Sequence, residues 1–70
     1  MMTKKTMTLN LTEAEMSALE ALCDEKGLSK TALVRQALRL YKSVDDRLGR
    51  GEKVFVENAD KTEKTELMVL

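Results

Sequence analysis

Thr6, Thr8 and Asn10 alternate with Met7, Leu9 and Leu11. In an extended segment this spacing sets two hydroxyls and a carboxamide on one face and the apolar side chains on the other. Such a face can recognise a ligand by hydrogen bonding, but it supplies no acid, base or nucleophile. Taken alone, it also describes the wet side of any strand. Elsewhere the means for catalysis are thin: no histidine, one cysteine (Cys23), and 70 residues in which to enclose a pocket. The chain is therefore not expected to be an enzyme. A lone thiolate cannot make a four-ligand zinc site, so neither metal nor other cofactor is expected. Cys23, on an apolar helical face, reads as a small buried hydrophobe rather than a reactive thiol.

The elements that must carry the polar face follow from local signals. Residues 6–11 read as one short strand, and nothing in the next 40 residues can pair with it. A lone strand exposes its backbone donors and acceptors, and the economical partner is the same strand of a second copy. Thr12-Glu13-Ala14-Glu15 is a capping-box pattern that opens a first helix. Met16, Leu19, Leu22 and Cys23 repeat within it at helical spacing. Gly27 stops that helix, with Leu28 placed to fold back on its last turn. Ser29 is the next N-cap, opening a second helix from Lys30 to about Asp46. Its apolar residues, Leu33, Val34, Ala37, Leu38, Tyr41, Val44 and Leu48, form a stripe wider than one short helix can cover. A small chain without disulfides or metal needs a core from elsewhere. A homodimer supplies it, with Met7, Leu9, Leu11, Leu19, Leu33, Ala37, Leu38 and Tyr41 as the expected dimer core.

Lysine and arginine number 12 and aspartate and glutamate 12, so the net charge does not point to nucleic acid. The distribution is more informative. Residues 1–12 carry +2, 13–26 carry −4, 28–44 carry +4, 45–53 balance, and 54–70 carry −2. A basic end, an acidic helix and a basic helix are thus segregated, as in an electrostatic footprint, though many surface helices show the same. No apolar run approaches the roughly 18–20 residues needed to span a bilayer. No secretory signal follows the basic start. A reduced, cytoplasmic location is expected, with no membrane partner.

Strand, capped helix, Gly-Leu-Ser turn and second capped helix, in this order, resemble the ribbon-helix-helix family of the MetJ, Arc and CopG type. The resemblance runs from about Thr6 to Tyr41. It is carried by Thr6-Met7-Thr8-Leu9-Asn10-Leu11-Thr12-Glu13 and Gly27-Leu28-Ser29-Lys30-Thr31-Ala32-Leu33. It implies an intertwined homodimer, mainly α, whose paired N-terminal strands enter the major groove of double-stranded DNA. Thr6, Thr8 and Asn10 would contact bases. Asn10 suits adenine, and the threonines suit a polar edge or a thymine methyl. With no Arg or Lys at these positions, the site should lean to adenine and thymine. Lys4, Lys5, Ser29, Lys30 and Thr31 would contact phosphates, the last three at a helix N-terminus whose amides and dipole favour anions. Arg35 and Arg39 read as the solvated face of the second helix. The resemblance also implies a bacterial, phage or plasmid origin and a sequence-specific repressor, with dimers set side by side on DNA.

The expected division is a ribbon-helix-helix domain over 1–48 and an extension over 49–70, hinged at Gly49-Arg50-Gly51. Within the extension, Lys53–Glu57 and Glu66–Leu70 read as strands of a β-hairpin around Asn58–Lys61. The rival function is an antitoxin whose residues 52–70 bind a toxin while its N-terminal domain autoregulates transcription, although a hairpin is more ordered than such a tail should be. The extension's apolar residues would alternatively cap the dimer core or join dimers. A helical dimer without a DNA role and a helix-turn-helix protein are weaker readings, the latter because it leaves the N-terminal strand without a purpose.

Overall fold

The computed structural model describes residues 4–69. Among these the element order is α1 (Glu13–Lys26), α2 (Lys30–Gly49), β1 (Phe55–Glu57) and β2 (Lys64–Glu66). The chain divides into two compact units, one up to Val34 and one from Arg35 onward.

In the first unit, α1 begins at a complete capping box. Thr12 Oγ1 accepts from the Glu15 amide at 3.1 Å, and Glu15 Oε1 accepts from the Thr12 amide at 2.9 Å. Two of the helix's first amides are thereby satisfied by side chains. The helix ends at Gly27, which takes the left-handed conformation (φ 64°) that a side chain would disfavour. The amide of Leu28 then returns to the carbonyl of Cys23 at 3.0 Å, placing Leu28 half-buried below the last turn. Ser29 caps α2, its Oγ accepting from the Ala32 amide at 3.1 Å. Leu33 is buried, at 8 % exposure, and Leu11, Met16, Leu19, Cys23, Leu28, Ala32 and Val34 are half-buried.

The expected strand over residues 6–11 is not formed in the single chain, where residues 4–12 belong to no helix or strand. The physical reason is the one that called for a partner: a ladder needs a second strand, and this chain offers none nearby. Met7 stands 77 % exposed and Leu9 50 %.

In the second unit, α2 runs to Gly49, three residues beyond the expected end near Asp46. Its stop is centred on Gly51 (φ 84°) rather than Gly49. The Gly51 amide donates to the Leu48 carbonyl at 3.0 Å and the Glu52 amide to the Arg47 carbonyl at 3.1 Å. These are the paired bonds of a Schellman stop. Glu52 also meets Arg47 at 3.0 Å and Arg50 at 3.5 Å. This bonded helix terminus falls at the expected hinge, Gly49-Arg50-Gly51.

The expected C-terminal hairpin is present, with antiparallel pairs Phe55↔Glu66, Val56↔Thr65 and Glu57↔Lys64. The first strand is shorter than expected and the second begins earlier, at Lys64 instead of Glu66; Leu70, the expected end of the second, lies outside the described residues. The turn sets this register. Asn58 Oδ1 accepts from the Glu63 amide at 2.9 Å, and Asn58 Nδ2 donates to Thr62 Oγ1 at 2.8 Å. Asp60 accepts from the Thr62 hydroxyl at 2.8 Å, and Lys61 takes a positive φ of 61°. With Asn58 and Glu63 fixed opposite each other, pairing must start at once on both sides. Half-buried apolar residues of this unit are Val44, Leu48, Val54 and Val69.

Candidate nucleic-acid interface

Thr6, Thr8 and Asn10 are all exposed, and so are Lys4 and Lys5 before them. The segment leads directly into the Thr12 cap, so its exit into α1 is fixed by the reciprocal Thr12–Glu15 bonds. Donation from the Thr12 amide chiefly, and from the Thr12 hydroxyl next, holds the Glu15 carboxyl below its ordinary pKa. Glu15 therefore keeps the charge that favours a helix N-terminus.

The second group, Ser29, Lys30 and Thr31, sits at the start of α2, and all three are exposed. The Ser29 hydroxyl is engaged with the Ala32 amide, so its ordinary capping role is realised. The amides of Lys30 and Thr31 lie in the first turn, where a helix has no internal partner for them. The first turn of α2 holds no acidic residue, and a positive dipole end there is not offset by a carboxylate. An anion would meet amides and one ammonium at this place.

The eight residues expected in the dimer core divide in the single chain. Leu33 is buried, and Leu11 and Leu19 are half-buried. Met7, Leu9, Ala37, Leu38 and Tyr41 are exposed, Leu38 by 68 %. Sequence reasoning missed Leu40, which is 67 % exposed. Its signal was present: Leu40 lies one heptad after Leu33 and widens the apolar stripe on the side away from Leu38. Arg35 and Arg39 are exposed on the opposite flank. Further along, Lys42 bonds Asp46 at 2.9 Å, and that bond chiefly raises the lysine's pKa. Among the described residues no group of three or more His, Cys, Asp or Glu could hold a metal ion. No described helix is long and apolar enough to cross a membrane.

An exposed alternating segment, a boxed first helix, a glycine-stopped turn and a Ser-capped second helix thus follow one another in the order expected of a ribbon-helix-helix chain. The family model described as "Ribbon-helix-helix protein, copG family" matches residues 5–43, more than half of the chain, and the chain belongs to that family. The family is one of DNA-binding transcription regulators that bind DNA as dimers. No curated protein and no solved structure matches the chain. The matched stretch ends inside α2. The last turns of that helix and the hairpin lie outside it.

Proposed function

We propose that the chain is a sequence-specific transcriptional repressor acting as a homodimer. Two copies of residues 6–11 pair antiparallel and enter the major groove as a ribbon, with Thr6, Thr8 and Asn10 of each copy against the bases. Lys4, Lys5, Ser29, Lys30 and Thr31 hold phosphates on either side, which orients the ribbon without reading sequence. The observation that carries this reading is the exposure of Met7 and Leu9 on a segment inside the family match. Pairing the segment with its copy gives those apolar side chains an interior and leaves the polar face outward. Leu33, Ala37, Leu38 and Tyr41 of the wide α2 stripe, with Leu11 and Leu19, complete the dimer core.

The antitoxin alternative needs residues 52–70 as a partner-binding tail. The bonded turn at Asn58–Glu63 describes a prefolded element instead, and the repressor reading is preferred. Transcription in vitro from the chain's own upstream region tests repression itself, which an autoregulating antitoxin would share. Repression by the purified protein alone, lost on replacing that region with a scrambled duplex, is the expected result. Transcription that the protein leaves unchanged would remove the repressor reading.

A further inference from the structure

The hairpin is left over once the ribbon and the α2 stripe have been assigned. Residues 54–70 carry a net charge of −2, so DNA is not its natural ligand. An isolated two-stranded hairpin is marginal in water, and a third strand usually secures it.

Its hydrogen bonds reveal which edge is open. The Leu67 amide donates to the Val54 carbonyl at 2.7 Å, and the Asn58 amide to the Glu63 carbonyl at 3.2 Å. In an antiparallel ladder bonded and non-bonded pairs alternate. Val56↔Thr65 is therefore a bonded pair, and the backbone groups of Lys64 and Glu66 point away from β1. Directly opposite residues share a face. Val54, Val56, Thr65 and Leu67 lie on one side, and Phe55, Glu57, Lys64 and Glu66 on the other. Two contacts agree with this: Lys64 Nζ stands 4.6 Å from the Phe55 ring centre, and Lys53 reaches Glu66 at 3.9 Å.

We infer that the outer edge of β2 pairs antiparallel with β2 of a second copy, centred on Thr65, forming a four-stranded sheet. Lys64-Thr65-Glu66 is complementary to itself in this register. Lys64 faces Glu66 of the second copy and Glu66 faces its Lys64, both as bonded pairs. The outward amides and carbonyls of these two residues then form four hydrogen bonds across the junction. The two Thr65 residues meet as a non-bonded pair, a favoured threonine–threonine contact. On the same side, Val54, Val56 and Leu67 of both copies join into one apolar band. A partner strand of uniform charge would match one of the two positions and be repelled at the other, which is why a second copy fits best. The junction is independent of how the ribbon reads DNA.

Hydrogen exchange on the unaltered full chain tests it first. The amides of Lys64 and Glu66 should be protected as well as that of Thr65, with protection growing as concentration rises. Solvent-like exchange of Lys64 and Glu66 beside a protected Thr65 would overturn the proposal, because only the hairpin itself would be bonded. Cross-linking tests the register in the full chain carrying Cys23→Ala. Opposed residues of a non-bonded pair lie about 4.5 Å apart at Cα, within disulfide reach. Thr65→Cys should therefore form a disulfide-linked dimer in a glutathione buffer about tenfold faster than Val56→Cys, since the two Val56 positions lie roughly 14 Å apart across three strand spacings. Ala59→Cys, in the turn, gives the rate for tails that are merely near each other. Equal rates for all three would show that no such edge forms, whether another protein strand or nothing occupies it.

Discussion

Thr12 and Glu15 bond each other in both directions, at 2.9 Å and 3.1 Å, at the point where the exposed segment becomes a helix. The pair begins α1 and holds Thr12, the residue through which the segment carrying Thr6, Thr8 and Asn10 joins the helix. Replacing Thr12 by Ala should cost about 1 kcal/mol of stability, the usual effect of removing such a cap. Urea denaturation at fixed protein concentration measures it, and an unchanged midpoint would mean that the box does not matter to folding.

The same pair sets a pH dependence. Glu15 has its folded pKa below the ordinary value of 4.5. The folded state is thus favoured by the ionised carboxylate, fully above that value, and the benefit is lost as pH falls through the lowered one. Glu15→Gln should flatten the acid limb of the stability curve relative to the wild type. Parallel acid limbs in the two proteins would count against the assignment.

Asn10→Ala should weaken binding to the cognate site by about 1–3 kcal/mol and leave random DNA nearly unaffected, as expected when one bidentate pairing with a base is removed. Titration of both duplexes at the same salt separates the outcomes. An equal weakening on both would place Asn10 outside base reading.

Lys30→Ala should weaken every duplex alike and lower the slope of log K against log salt by about 1 for each phosphate that the lysine neutralises. A slope identical to the wild type's would take Lys30 out of the phosphate clamp.

Leu33 is the one residue that a single chain already buries, at 8 % exposure among the described residues. Leu33→Ala should cost about 2–5 kcal/mol, the range for emptying a leucine site in a core. Chemical denaturation of the two proteins at equal concentration reads the difference. A cost under about 1 kcal/mol would indicate a site that collapses freely or is peripheral to the core.

The helices are legible in the sequence because their ends are written in local chemistry. Thr12 with Glu15, Gly27 and Ser29 each act within a few residues, and each does in the structure what its type suggests. The end of α2 is harder to read because its signal is split. Gly49 looks like the stop, yet the left-handed residue is Gly51, and the bonds from Gly51 and Glu52 back to Leu48 and Arg47 carry the helix past Asp46. The hairpin is legible from its apolar runs, but its register is not. That depends on Asn58 side-chain bonds and on Lys61 in a conformation unusual for lysine. The N-terminal strand is legible only as a demand for a partner, because alternation sets its faces while a ladder needs a strand from elsewhere. Leu40 escapes a stripe drawn from Leu33 toward Leu38 alone. The roles proposed for Thr6, Thr8 and Asn10 rest on their exposure and on the family to which residues 5–43 belong.

The most direct measurement is sedimentation of the purified chain, alone and with a duplex from its own upstream region, at low and moderate salt. The expected result is a self-associated species no smaller than a dimer that joins this duplex in preference to a scrambled one, the preference surviving moderate salt. A monomer, or a dimer that takes up both duplexes equally at every salt concentration, would contradict sequence reading by a paired ribbon.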